Sequence, residues 1–366
     1  MRREREPDSI DDSAALVAQV DAAIHDRQPL LIRGAGTKSF LGRAVEGRTL
    51  DVRTHRGIVA YDPTELVITA RAGTPLAELD AMLDAAGQML PCEPPTFGGA
   101  ATVGGMFSAA LSGPRRPWAG AVRDFVLGVR IVDGTGEALR FGGQVIKNVA
   151  GFDVSRMMTG ALGTLGVLTE ISLKCLPRPK VESTRVVDCS GADAIRLVNE
   201  WGGKPLPISA TCFRDGRLWV RLSGAAAAID AARTKIGGAE IDGAAFWRDV
   251  RDQTLDYFAP AAQGAAALWR LSVASTAPWT DLPGEPLMEW GGALRWVITR
   301  EAGAGTALRA WAAQHGGHAT LYRSRDKVAG GAFAPLSETM LGLHRRLKDV
   351  FDPKRILNPG RMYAAL

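Results

Sequence analysis

A short apolar strand that begins at Leu30 ends in the turn Ile32-Arg33-Gly34-Ala35-Gly36-Thr37-Lys38-Ser39. Two glycines allow a sharp turn in which backbone N–H groups converge. Arg33, Lys38 and the two hydroxyl groups add hydrogen-bond donors, a combination suited to a phosphate or pyrophosphate. The glycine spacing matches neither G-x-G-x-x-G nor G-x-x-x-x-G-K-[ST]. A tight turn with a solvated lysine is therefore an open alternative.

Glycine is concentrated further along the chain. The protein has 42 glycines in 366 residues, and fifteen of them fall within residues 98–166. In this region Thr102-Val103-Gly104-Gly105-Met106-Phe107-Ser108-Ala109-Ala110 predicts a helix that Thr102 caps, and the segment closes at Gly113. Glycines in the first turn let a planar ligand lie against backbone N–H groups at the positive helix end. Close packing of the helix on a sheet explains the same two glycines equally well.

Two more segments carry turn signals. The run Lys147-Asn148-Val149-Ala150-Gly151-Phe152-Asp153 leads into a short helix, which Asp153 is predicted to cap and Gly160 to end. Gly163 and Gly166 then precede a strand that starts at Val167. The tail Asp352-Pro353-Lys354-Arg355-Ile356-Leu357-Asn358-Pro359-Gly360-Arg361 contains Asp-Pro and Asn-Pro-Gly, so a plain C-terminal turn also explains it.

The pattern of elements divides the chain at Pro177-Arg178-Pro179. We expect an N-terminal tail over residues 1–12, a first domain over 13–179, a second over 180–335, and a C-terminal helix with its tail over 336–366. In the second domain, the order β-α-β-β-α with Asp215-Gly216 as a hairpin turn predicts a split βαβ, ferredoxin-like arrangement. In the first domain, Thr74 is predicted to cap a helix that Gly87 ends. The predicted fold class is α+β.

Charge and cysteine content argue against several classes of function. The net charge is +5, and the basic residues are scattered without zinc-finger spacing or an RNP-like motif, which argues against a nucleic-acid partner. The four cysteines lie far apart without a C-x-x-C pair, so we expect no metal on this chain. No apolar run approaches the ~20 residues of a membrane span. The sequence predicts a cytoplasmic protein, and docking to a membrane-bound partner is left open.

In their order and separation, the four segments resemble the PCMH-type FAD-binding family, the vanillyl-alcohol-oxidase-like flavoproteins. The resemblance implies an FAD domain to which the C-terminal tail returns. Thr37 stands where members with covalent flavin commonly carry histidine, which implies non-covalent FAD. The resemblance implies the following cofactor-binding residues: Arg33, Gly34, Ala35, Gly36, Thr37, Lys38 and Ser39 at the pyrophosphate, Thr102, Gly104, Gly105 and Ser108 along the flavin, Val167 and Asn358 near it, and Gly113, Arg123 and Gly166 to complete the set.

Other strings are similar to the FAD-binding E subunits of bacterial glycolate oxidases. These strings are residues 37–43, 92–95, 112–118, 147–151 and 290–296. The resemblance implies oxidation of glycolate to glyoxylate, with electrons passed onward and not to nicotinamide. It also implies a complex with a larger flavoprotein subunit and an iron–sulfur subunit, peripheral to the inner membrane through these partners.

The sequence departs from the family at the substrate site. Members that themselves oxidise 2-hydroxy acids carry an H-x-G-D-G-N-x-H type motif, whereas this chain has only His315-Gly316-Gly317-His318. We interpret these two histidines as a helix end and a strand start. Arg115, Arg116 and His318 are the candidates for substrate contact, and the catalytic residue is unknown. A self-sufficient 2-hydroxy-acid flavodehydrogenase and a non-catalytic scaffold of the same fold without FAD are the alternatives.

Overall fold

The computed structural model describes residues 9–143, 153–325 and 331–366, and these residues group into two compact units. The first unit contains residues up to Leu111, Ala121–Pro177 and Pro335–Leu366, and the second contains Ser112–Gly120 and Arg178–Ala334. The predicted first domain, residues 13–179, did not allow for the excursion Ser112–Gly120. The functional assignment of these domains stays a prediction.

The first unit contains a five-stranded antiparallel sheet and two small two-stranded sheets. Its helices, numbered in chain order through both units, are α1 (Ser13–Asp26), α2 (Leu76–Ala85), α3 (Val103–Ala109), α5 (Val154–Met158) and α11 (Glu338–Phe351). Its strands are β1 (Leu30–Arg33), β2 (Arg48–Asp51), β3 (Ile58–Asp62), β4 (Val67–Arg71), β5 (Gln88–Met89), β6 (Val126–Val132), β7 (Ala138–Gly142), β8 (Val167–Lys174) and β9 (Leu176–Pro177).

The strand order of the large sheet is β3-β4-β8-β6-β7, whereas β1 pairs in parallel with β2, and β5 with β9. One core cluster joins α1 to the small parallel sheet. It contains Leu16 and Val20 from α1, Leu30 and Leu50 from β1 and β2, and Val167 from β8. This cluster anchors β1 through Leu30, and the glycine turn leaves from the other end of the same strand.

The second unit contains one eight-stranded antiparallel sheet. Its helices are α4 (Arg116–Ala119), α6 (Gly191–Gly202), α7 (Ala226–Ile236), α8 (Ala244–Asp252), α9 (Ala259–Ala262) and α10 (Ala304–Gln314). Its strands are β10 (Val181–Asp188), β11 (Ile208–Arg214), β12 (Arg217–Gly224), β13 (Ala239–Ile241), β14 (Ala267–Ser272), β15 (Glu285–Glu289), β16 (Leu294–Thr299) and β17 (His318–Arg323).

The sheet of the second unit is an internal duplication. Its strand order is β13-β10-β12-β11-β15-β16-β14-β17, so β10–β13 and β14–β17 repeat one pairing scheme in mirror order. The halves join where β11 pairs with β15, with Cys212 opposite Glu289 and Phe213 opposite Met288. The predicted split βαβ order describes the first half. In the second half, residues 273–284 replace the helix that corresponds to α6, and Trp279 from this segment packs edge-on against Phe213.

The sequence missed several elements, and it placed one helix cap wrongly. Among the missed elements, strand β3 lies at a sheet edge, α8 has a strongly polar face, and β15 contains Pro286 and two glutamates, so none of these three gives a plain apolar pattern. The others, α4, α9, β5 and β13, are only two to four residues long. The predicted capping of α2 by Thr74 is wrong. The Thr74 hydroxyl instead accepts from the Gly57 N–H (2.9 Å), and Pro75 occupies the N-cap position.

Candidate functional site

The turn after β1 presents a series of backbone N–H groups. Among the described residues, the N–H groups of Gly34, Ala35, Gly36 and Thr37 donate to no protein acceptor, and these four residues are half-buried. The turn closes where the Ser39 N–H donates to the Gly36 carbonyl at 3.0 Å. Gly36 has a φ of +74°, and a Cβ there would lie 2.6 Å from the Arg33 guanidinium, so only glycine fits. Consecutive N–H groups of a turn that have no acceptor within the described protein can bind a phosphate-type anion.

Lys38 is not the solvated lysine that the alternative interpretation required. Its side chain is buried, with Nζ 3.3 Å from the Thr37 hydroxyl and 5.3 Å from the centroid of the Phe97 ring. The Phe97 ring in turn meets Phe40 edge-on, with centroids 5.6 Å apart. The ammonium group is therefore held at the turn, where its charge complements an anion.

The second glycine segment meets this turn. Thr102 caps α3 as predicted, since its Oγ1 accepts from the Gly105 N–H at 3.1 Å. A Cβ on Gly34 would lie 2.5 Å from the same Oγ1, so the glycine turn and the cap of α3 are in contact. Two segments about 70 residues apart in sequence thus form one surface.

The N–H groups at the start of α3 are already used within the protein. The Val103 N–H donates to the Thr74 carbonyl (2.9 Å) and the Gly104 N–H to the Ala72 carbonyl (2.8 Å). A Cβ on Gly104 would lie 2.9 Å from both Cβ and O of Ala72. The packing explanation therefore accounts for Gly104, and the expectation that its N–H faces a ligand is corrected. Gly105, in contrast, would meet only the Thr102 hydroxyl at 3.1 Å.

The other two segments are joined to the turn by Asn358. Its Oδ1 accepts from the Ile32 N–H at 2.9 Å, and its Nδ2 donates to the Leu162 carbonyl at 2.7 Å. The Leu162 N–H continues the chain of hydrogen bonds to the carbonyl of Ser108 at 3.0 Å. A Cβ on Gly163 would lie 2.7 Å from Nδ2 of Asn358. All four segments are thus connected, although the residues 147–152 that belong to one of them lie outside the described part of the chain.

Arg361 was not predicted as a site residue. Its guanidinium donates to the carbonyls of Arg43 (2.9 Å) and Ser39 (3.1 Å), while its own carbonyl accepts from the Arg43 N–H (2.8 Å). Burial lowers the pKa of Arg361 from its ordinary value. Arg361 holds the end of the glycine turn, and its position three residues after Asn358 in the tail motif was the available signal.

Comparisons with known proteins agree with this geometry. Residues 5–142 match the FAD binding domain model, and residues 334–362 match the C-terminal domain model of FAD linked oxidases. The chain is 52% identical over 356 residues to glycolate oxidase subunit GlcE of Escherichia coli, which covers 97% of this chain and 99% of that protein. This chain belongs to the PCMH-type FAD-linked oxidase family.

One more relative and one solved structure are similar to this chain at longer range. Glycolate oxidase subunit GlcD of Bacillus subtilis is 31% identical over 170 residues, which is 46% of this chain and 36% of that protein. A crystal structure of p-cresol methylhydroxylase with substrate bound matches with a TM-score of 0.72 at 16% identity, over 96% of this chain and 87% of the other. The second match shows the fold, which is the predicted α+β class.

Four of the predicted cofactor-binding residues of this chain have contacts with other residues of the protein. The Val167 side chain is in the core with Leu30, and a Cβ on Gly166 would lie 2.9 Å from Ile131. Arg123 is 66% exposed and pairs with Asp124 at 3.9 Å. Gly113 belongs to the second unit, where its carbonyl accepts from the Trp290 indole N–H at 3.1 Å. Their proposed cofactor contacts stay predictions.

The three residues of this chain that were predicted to contact substrate differ in their contacts. Arg115 is buried, and its guanidinium pairs with Glu182 at 2.6 Å. Arg116 lies over the Trp290 ring, with Cζ 4.4 Å from the centroid. His318 starts β17, and burial, followed by the charge of Arg270, lowers its pKa from 6.5. The role of all three as substrate contacts stays a prediction.

The neighbouring histidine, His315, ends α10, where its Nδ1 lies 2.8 Å from the Trp311 carbonyl. Within residues 9–143, 153–325 and 331–366, no group of three or more His, Cys, Asp or Glu side chains has metal-site geometry. No helix in the same ranges combines the length and apolar character needed to cross a bilayer.

Proposed function

We propose that this chain is the FAD-containing E subunit of a glycolate oxidase. The glycolate oxidase complex that contains this subunit oxidises glycolate to glyoxylate, and the electrons pass to an iron–sulfur partner. The larger flavoprotein subunit completes the assembly, which is cytoplasmic and meets the membrane only through its partners. Identity of 52% to a glycolate oxidase subunit over nearly the whole length of both chains supports this assignment.

The observation that carries the FAD part of the proposal is the set of N–H groups at Gly34–Thr37, which have no acceptor within the described part of the chain, beside the buried Lys38. They fit a pyrophosphate because the turn offers four adjacent N–H donors and one cation to an anion. When bound, FAD supplies the two-electron chemistry that protein side chains lack.

The chain's own residues prepare and hold the site. The turn binds the diphosphate through its N–H groups, and Lys38 balances part of the negative charge. Asn358 and Arg361 fix both ends of the turn by hydrogen bonds to Ile32 and Ser39. We propose non-covalent attachment because Thr37 offers no imidazole for a flavin link.

The test is the spectrum of the purified full-length chain, followed by acid precipitation. We expect an absorption band near 450 nm (about the position for oxidised FAD) and release of the flavin into the supernatant. A chain without flavin, both alone and with its partner subunits, would support the scaffold alternative. Bleaching of the band by glycolate under anaerobic conditions, on this chain alone, would support the self-sufficient dehydrogenase instead.

A further inference from the structure

Strand β14 places one arginine on the face of the second unit's sheet that is turned away from its helix-covered core. Trp269 and Leu271 point into the core beneath α10, so Arg270, between them, points to the opposite face. Its register partners are Trp296 on β16 and Thr320 on β17. Arg270 therefore lies on a strand that is paired on both sides, with β16 and with β17, and is not at the end of a flexible loop.

Trp290 brings a second arginine to the same place. The Cζ atom of Arg270 lies 4.9 Å from the centroid of the Trp290 ring, and that of Arg116 lies 4.4 Å from it. Two guanidinium cations thus share one indole. The π electrons of the ring attract both cations, but they do not serve as acceptors for the five N–H groups of the Arg270 guanidinium.

The indole is fixed in position. Trp290 is buried, its Nε1–H donates to the Gly113 carbonyl at 3.1 Å, and the next N–H, of Gly291, donates to the Thr211 hydroxyl at 2.8 Å. Trp290 also adopts a φ of +57°, a left-handed backbone conformation that is costly for a residue with a Cβ. The arrangement of the ring beside the arginines is therefore preorganised.

Arg270 lacks an acceptor for its donors. Within the described residues, its guanidinium makes no hydrogen bond and no ion pair, and it lies over the ring of Trp290. Glu289, whose charge acts on Arg270, accepts from the Trp296 indole N–H at 2.7 Å. Burial and the nearby Arg116 lower the pKa of Arg270, which is the response expected of a partly desolvated cation next to another cation.

We propose that Arg270 and Arg116, held against Trp290, bind the carboxylate of a small organic acid. A planar carboxylate accepts two parallel N–H groups from one guanidinium and neutralises the pair of cations. His318 lies in β17 opposite Ser272 of β14. It is close enough that the charge of Arg270 lowers the pKa of its imidazole. The inference extends the proposed function, because it gives a 2-hydroxy acid a carboxylate contact on this chain.

The experiment is calorimetric titration of the full-length chain with oxalate, a dicarboxylate that is not a 2-hydroxy acid and so separates binding from turnover. Arg270→Met is compared with Arg300→Met, which removes the same charge from an exposed residue after β16. We expect Arg270→Met to weaken oxalate binding at least tenfold and Arg300→Met to leave it unchanged. Arg270→Lys should fall between them, since an ammonium cannot form the bidentate pair.

Oxamide, the uncharged diamide of oxalate, should not bind measurably to the wild-type chain. Thermal unfolding of each variant shows that the fold is retained. Equal oxalate affinity of Arg270→Met and wild type, or no binding by wild type, would overturn the inference. Flavin absorbance is recorded in the same samples. A wild-type chain that retains its flavin but does not bind oxalate contradicts only the carboxylate site, whereas absence of flavin in the wild type contradicts the FAD proposal.

Discussion

The Asn358 amide nitrogen donates to the Leu162 carbonyl at 2.7 Å, across 196 residues of sequence. The same side chain accepts from the Ile32 N–H, in the strand that leads into the glycine turn. One buried amide therefore joins the C-terminal tail to two glycine-containing segments. This relationship makes the tail part of the proposed cofactor site, although its sequence alone looks like an ordinary turn.

Removing the Asn358 amide should loosen the turn. In Asn358→Ala, the half-buried Ile32 N–H and the buried Leu162 carbonyl lose their partners, which costs about 1–3 kcal/mol of stability. Alanine also tolerates the φ of +39° at this position less well than asparagine. We expect a lower free energy of unfolding in urea and faster release of FAD during gel filtration. Unchanged stability together with unchanged flavin content would contradict this role of Asn358.

The buried ion pair between Lys348 and Asp352 anchors α11 to the tail. The Nζ–Oδ2 distance is 2.6 Å, the side chains are 1% and 0% exposed, and Nζ also donates to the carbonyls of Thr164 and Leu357 at 2.7 Å. Lys348→Met leaves a buried carboxylate without its cation, so we expect a loss of about 3–5 kcal/mol. Urea unfolding measures this loss. Adding Asp352→Asn should recover part of it, and no recovery would show that charge is not the cause.

Gly104 and Gly105 form a matched pair of test positions. Gly104→Ala places a methyl group 2.9 Å from Ala72, whose backbone cannot move without disturbing β4, so a loss of about 1–3 kcal/mol is expected. Gly105→Ala meets only the Thr102 hydroxyl, and the higher helix propensity of alanine, about 1 kcal/mol, offsets the crowding. Thermal unfolding of the two variants compares them directly. Equal losses would contradict the packing explanation for Gly104.

Lys38 should contribute charge to cofactor binding. Lys38→Met removes the ammonium group beside the turn, and we expect FAD to bind about tenfold more weakly, or about 1.4 kcal/mol. Fluorescence titration of the apoprotein with FAD measures the affinity at low and high salt. Lys235→Met, which removes an exposed lysine of the second unit, is the control and should leave the FAD affinity unchanged. A similar effect of both changes would indicate a general charge effect.

His55 makes stability depend on pH. Its Nδ1 accepts from the Asp12 N–H (3.0 Å), so Nε2 carries the proton and donates to the Thr169 carbonyl (3.1 Å). Burial is the main cause that lowers its pKa from 6.5 in the folded protein. The unfolded chain therefore takes up the proton first, and the contribution of neutral His55 is complete above pH 6.5 and is lost as the pH falls below it.

Urea unfolding at several pH values between 8 and 5 tests this dependence. Wild type should lose more stability on acidification than His55→Gln, whose amide does not titrate. Parallel pH profiles of the two proteins would show that His55 does not determine the slope.

The sequence predicted local features of the site but not their connections. The glycine turn, the Thr102 cap and the Asn-Pro-Gly tail depend on neighbouring residues, so composition and spacing reveal them. That Gly104 packs on Ala72, or that Asn358 bonds to Leu162, depends on how distant segments meet. The contact of Arg116 and Arg270 with Trp290 has the same origin, because it follows from strand register and from the return of Ser112–Gly120 to the second unit. Strand β15, which positions Trp290, has a proline and two glutamates and so gave no strand pattern.

The position of Trp279 has a consequence for how the second unit folds. Residues 273–284 belong to the second half of the duplicated sheet. The Trp279 ring nevertheless packs edge-on against Phe213 and contacts Gly191, in the apolar core of the first half. The first half thus completes its core with a side chain from its duplicate. Neither repeat is a self-sufficient module, and the two are expected to melt in a single cooperative transition.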